Sequence, residues 1–336
     1  MATDITANVR SPRYYSYSGS TTQTLNLKIW TGDVVSVPST NTYTLTKEPI
    51  SNKAVFEISE LIRDYIDQTF TGSYVSNSVW VKIDSLTPFP AFEGYGYQSE
   101  GANPNLSNRV LMSNTTIWVP PSGTVRIPVY TSASSNAVNS VNYFLNGSEL
   151  VSEEDVIVPT GLSAGQINYP FTNQEVDEVR VYYNSDAAYD TLTVKYMDCS
   201  KYDTYKITFI NKFGALQDLY FMAKSTESFS ISKDSYKSNI LDETNQTYTT
   251  SSHQYADFDV QGRQSINLTT GYVSEDINEP IKQLMLSEKV WMTEGSVITP
   301  VNVKTNSLVV QTSVNDKMVS YTLDFDFAHD IIQNVR

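Results

Sequence analysis

Apolar and polar residues alternate along most of this chain as they do in β-strands. Thr24-Leu25-Asn26-Leu27-Lys28-Ile29-Trp30 has a period of two, the mark of a half-buried strand. Thr31-Gly32-Asp33 supplies turn chemistry after it, and Tyr43 to Thr46 is a second short strand bounded by Asn41 and Pro49. Val79, Val81 and Ile83 share one face of a third strand, with Trp80 and Lys82 on the other. Between these pieces, Ile58, Leu61, Ile62, Tyr65, Ile66 and Phe70 recur at three- and four-residue spacing. That stripe predicts a helix between Val55 and Phe70, ended by Gly72.

From Ser85 to Thr116 the pattern breaks. Pro88, Pro90, Gly94, Gly96, Gly101 and Pro104 punctuate it, with Phe89, Phe92, Tyr95 and Tyr97 among them. Aromatics in such a background offer large, rigid contact area at low entropic cost, so these four are the candidate binding residues; the plainer alternative is that they cover the module's own sheet. Trp118-Val119-Pro120-Pro121-Ser122-Gly123 is a stiff turn and marks a boundary. Short strands with turns at Asn146-Gly147 and Gly161 follow, the spacing of a small immunoglobulin-like sandwich. A third region opens near Lys201. Tyr205 to Asn211 alternates, Asn211-Lys212-Phe213-Gly214 turns, and Leu219 to Met222 leads back. Residues 225–252 are polar and read as exposed strands and loops. Pro280 to Trp291 predicts a second amphipathic helix, with Asn278 as its cap. Strands over Val297 to Val303, Ser307 to Thr312 and Met318 to Phe327 end the chain. The expected fold is mostly β: tandem immunoglobulin- or fibronectin-like sandwich modules at 1–122, 123–199 and 200–336, with two amphipathic helices.

Composition narrows the chemistry. The 336 residues hold two histidines and one cysteine beside 23 tyrosines. His253, His329 and Cys199 stand far apart, so His-, Cys- or metal-based catalysis has little to work with. A formal charge of −14 disfavours nucleic acid and anionic membranes as partners. MATDITANVR lacks the apolar core of a signal peptide, no stretch is long enough to span a membrane, and one cysteine excludes an internal disulfide framework. Cytoplasmic synthesis is therefore expected, and sequons at Asn146 and Asn267 are read as chance. In the last strand, Asp324 and Asp326 share one face, roughly 6.5–7 Å apart. Paired carboxylates can do acid–base chemistry or hold a metal, yet any amphipathic strand yields this pair, and a solvated face is the expectation. Asp257-Phe258-Asp259 reads the same way, and the four tryptophans read as core anchors.

Three stretches carry a resemblance. They are Ile207 to Phe221 (ITFINKFGALQDLYF), Ile281 to Trp291 (IKQLMLSEKVW) with Pro300-Val301-Asn302-Val303, and Asn315 to Ala328 (NDKMVSYTLDFDFA). Together with Arg10-Ser11-Pro12-Arg13-Tyr14-Tyr15 and Ile29-Trp30-Thr31-Gly32, they resemble uncharacterised virion proteins of tailed phages of the crAss-like and marine flavobacterial kind. The resemblance spans the first region and most of the last, and the middle module carries none of it. It implies a particle component of the tail, baseplate or neck, with other virion proteins and copies of itself as partners, and brings no catalytic motif. The expectation is a structural virion subunit, not an enzyme, with no cofactor or metal. Its rivals are a host-recognition or glycan-binding protein using Tyr95 and Tyr97, and a tail-borne polysaccharide-degrading enzyme using Asp324 and Asp326.

Overall fold

A computed structural model describes residues 7–74, 78–104, 106, 109–121, 123–130, 138–154, 164–169, 176–183, 189–197, 201–312 and 318–332. Cys199 and the turn at Gly161 lie outside them. The protein is mostly β, with several separate sheets and little helix.

The first part is a five-stranded sheet in the order Ala7–Asn8, Phe89–Phe92, Val79–Ile83, Gln23–Trp30, Tyr43–Lys47. A two-stranded pair, Tyr14–Ser18 with Lys53–Glu57, closes over it. Leu25, Leu27, Ala54, Phe56, Ile58, Ile62, Val81 and Ala91 fill the space between. The helix expected from Val55 to Phe70 is only Ser59–Arg63. Its first residues belong instead to Lys53–Glu57, where Val55 and Phe56 suit a strand paired with Tyr15 and Ser16. Ile58 and Ile62 still bury as the periodicity requires, whereas Phe70 packs on Tyr74 and Trp291 in a different cluster.

The middle part has five strands in the order Ser148–Glu154, Val138–Leu145, Glu178–Tyr183, Tyr189–Tyr196, Thr116–Val119, the last pairing in parallel. Val125–Tyr130 pairs separately with Ala164–Tyr169. Valine-rich faces from both sheets share one core. Val110 to Val119, on the N-terminal side of the 122/123 division, pack into it.

The last part is a seven-stranded sheet in the order Leu216–Phe221, Tyr205–Ile210, Val290–Glu294, Val297–Val303, Thr322–Phe327, Tyr255–Thr269, Thr226–Lys237. The helix Asn278–Leu286 buries Ile281 and Leu284 against it. That helix stops before Trp291 because Ser287 is extended and Val290–Glu294 joins the sheet. Asn278 does not cap it; its side chain instead donates to the Gln311 carbonyl and accepts the Tyr321 hydroxyl.

Candidate interaction surface

Two features stand out: a junction that locks the three parts together, and an arm that leaves the body.

The junction is built around the turn after Tyr205–Ile210. Asn211 is fully buried; its carboxamide oxygen accepts the Phe213 and Ala215 amides, and its NH2 donates to the Leu111 carbonyl at 2.6 Å. Gly214, at φ +75°, lies against the Phe92–Gly94 backbone. Phe92, Leu106, Leu111, Phe213 and Ala215 form a small core there. Beside it, Asp218 gathers one group from each part. Its carboxylate accepts the Tyr74 hydroxyl at 2.6 Å and the Thr208 hydroxyl at 2.6 Å, and Arg126 lies 3.8 Å away. The Arg126 guanidinium sits 3.6 Å from the Tyr74 ring centre, and Lys206 donates to the Tyr74 oxygen at 2.9 Å. Burial and the Asp218 charge drive the Tyr74 hydroxyl far up in pKa, and burial holds Lys206 down. The hydroxyl is fixed as a donor, which suits a structural clamp and not a nucleophile. A second polar group joins the first and last parts: Glu288 takes both oxygens' bonds from Arg63 at 2.6 Å, and Lys289 reaches Asp67 at 2.6 Å.

The arm is the hairpin of Thr226–Lys237 and Tyr255–Thr269. Its base is anchored, because Ile266 and Leu268 are core residues. Beyond them all twelve residues of Thr226–Lys237 are exposed. Phe229 (56%), Ile231 (59%) and Tyr236 (53%) stand out of it, with Tyr255, Phe258 and, near the tip, Tyr248. The Phe229 ring reaches over Gly262, where a Cβ would meet it at 2.8 Å. Direct pairing puts Phe229 opposite Gln264 and Ile231 opposite Gly262 on one face; Tyr236 and Phe258 stack at 5.8 Å on the other. A bulge at Asp259, φ +50°, places the extra residue in the inner strand, and the outer strand carries none.

The four aromatics picked from the sequence behave differently. Phe89 and Phe92 are core residues, which leaves neither ring for a partner. Tyr95 is half-buried beneath the Arg10 guanidinium, and burial pushes its hydroxyl up to about 12. Tyr97 alone is exposed, on the short helix Tyr97–Glu100. Of the excursion's described residues, 89–94 and 110–112 thus turn inward, into cores of all three parts. Phe229 and Ile231 were missed as candidates; their signal was two apolar residues alternating with serines inside a polar stretch.

Asp324 faces solvent and accepts the Asn267 amide, and Asp326 pairs with Lys304. His253 and His329 are exposed. Trp30, Trp80 and Trp291 are buried. A cleft of 540 Å³ opens beside Arg109, Asp190, Lys212 and Glu279. Three of these charges are engaged, since Asp190 accepts the Val110 amide, Lys212 pairs with Glu100, and Glu279 accepts from Gln283, while Arg109 lies 4.7 Å from the Phe213 ring centre. Among the described residues no group of three or more His, Cys, Asp or Glu gathers to hold a metal. Among them, too, no helix is long and apolar enough to cross a membrane. Compared with known proteins, the chain matches no family model and no curated protein.

Proposed function

We propose that this protein is a structural subunit of a tailed-phage virion, in the tail, baseplate or neck, where copies assemble in a symmetric ring and meet other virion proteins. One observation carries the reading: a body cross-locked by buried polar groups extends a hairpin on which Phe229, Ile231 and Tyr236 each stay more than half exposed. A lone two-stranded ribbon is marginal in water, so such an arm makes sense when a neighbour completes it. The middle part is read as an immunoglobulin-like sandwich, supported by the parallel edge strand Thr116–Val119 and by the separate Val125–Tyr130 pair facing it. The glycan-platform reading loses support, since the first excursion's aromatics are mostly inside.

Mass spectrometry of purified particles is expected to find the chain at a fixed copy ratio; its absence from particles overturns the reading. A variant in which residues 233–260 are replaced by Asn-Gly, bridging the opposed Ser232 and Gln261, is expected to fold and to fail to incorporate.

A further inference from the structure

We propose that the outer edge of the arm, Thr226–Lys237, pairs antiparallel with the same strand of a second copy, across a two-fold axis through Ser230. The inference rests on reading the arm as a contact element, and is independent of the particle in which it serves.

Thr226–Lys237 is the last strand of its sheet, so one side of its backbone has no strand partner among the described residues. The strand is twelve residues long, free of bulges on its own side and solvent-exposed, the kind of edge that recruits another strand unless it is blunted. An isologous contact requires a patch that is complementary to itself. On one face the order is Glu227, Phe229, Ile231, Lys233. Turned end for end about Ser230, this row sets Glu227 opposite Lys233 and Phe229 opposite Ile231, and each pair occurs twice. The other face sets Ser228 opposite Ser232, with Ser230 meeting its own copy. Acid meets base, apolar meets apolar, and small hydroxyls meet each other.

Neighbouring registers lose this match. Centring on Ile231 sets Phe229 against Lys233, and centring on Ser232 sets Ile231 against Lys233. Lys233, which inside its own chain pairs with Asp257, therefore serves as the register key. It blunts the wrong alignments and completes the right one.

A Cys199→Ser background removes the one native thiol. In it, Ser230→Cys is expected to give a disulfide-linked dimer under mild oxidation. Opposed Cα atoms lie about 4.5–5.5 Å apart in an antiparallel pair, within the roughly 4.4–6.8 Å a disulfide spans. Ser228→Cys alone is expected not to link, because its own copy is four residues away along the strand, about 13 Å. Mixing Ser228→Cys with Ser232→Cys chains is expected to restore linking. In sedimentation, Glu227→Lys is expected to weaken the dimer about tenfold by opposing like charges twice, and Glu227→Lys with Lys233→Glu to restore it. Native protein that stays monomeric, or Ser230→Cys linking no faster than Ser228→Cys, overturns the proposal. A monomer that still enters particles sinks the self-pairing alone, and a dimer never found in particles sinks the virion reading alone.

Discussion

At the scale of single residues, the junction makes the sharpest claims. Asp218 is 6% exposed and faces both Arg126 and Lys206. Removing it by Asp218→Ala leaves two half-buried cations uncompensated and the Tyr74 hydroxyl without its acceptor. The expected loss is about 3–5 kcal/mol, read by denaturant unfolding. Gly214 tests the backbone instead. A Cβ there would lie 2.8 Å from the Phe92 Cβ and 2.9 Å from the Glu93 amide nitrogen, on top of a left-handed φ. Gly214→Ala is expected to cost on the order of 1–3 kcal/mol or more, because the Phe92 Cβ and the Glu93 nitrogen are both fixed to the backbone and cannot swing away. Glu93 and Glu288 lie in one charge cluster and shift in opposite directions. The Arg63 hydrogen bonds pull Glu288 below its ordinary 4.5. Its stabilisation is present above that value and is lost as pH falls through its lowered pKa. Burial, helped by the Glu288 charge, pushes Glu93 above 4.5. Its proton favours the fold at low pH, and that advantage disappears as pH rises through its raised pKa. In stability–pH curves, Glu288→Gln is expected to flatten the acid limb, and Glu93→Gln to gain relative to the native protein above Glu93's own pKa. What the sequence hid at this scale is burial set by distant partners. Phe92 sits in a glycine- and proline-rich stretch that reads as a surface loop. Leu106, Leu111, Phe213 and Ala215, brought in by the fold, make it core.

At the scale of elements, period-two alternation located most strands well, because each strand carries its pattern within itself. Thr322–Phe327 buries Leu323 and Phe325 and turns Asp324 outward, as alternation requires. The first helix was misjudged for a physical reason. A short apolar run is consistent with either period, and pairing with Tyr14–Ser18 decided for a strand over Lys53–Glu57. The arm was legible only in half. Its polarity announced exposure, but nothing local told a projecting hairpin from loops lying on the body. That distinction has a measurable consequence. No residue between Lys233 and Val260 belongs to any core, so excising that stretch with an Asn-Gly turn is expected to leave the melting temperature within about 2 °C of the native value. A much larger drop in a circular-dichroism melt would mean that the hairpin stabilises its own body.

At the scale of the whole molecule, the question is whether three cores behave as three domains. Each has a complete apolar interior, which by itself would let the parts unfold separately. The contacts between them argue otherwise. Asn211 bonds to Leu111, and Gln217 bonds to Asn114. Tyr220 reaches the Thr124 carbonyl, and Asp276 accepts from the Thr115 and Thr116 amides. Phe70 packs against Trp291. Several of these groups are buried, so separating the parts exposes polar atoms whose bonds were made only across the junction, along with the small core around Phe213. Opening one boundary also opens the others, because residues 109–118 touch all three parts. Calorimetry is therefore expected to show one transition whose van't Hoff and calorimetric enthalpies agree. In Asp218→Ala the clamp is broken while each core stays whole, so the same scan is expected to broaden or split. Two well-separated transitions in the native protein would show that the junction is too weak to couple the parts. The arm would then project from a hinged chain, and a fixed two-fold contact between arms would no longer fix how the bodies are arranged.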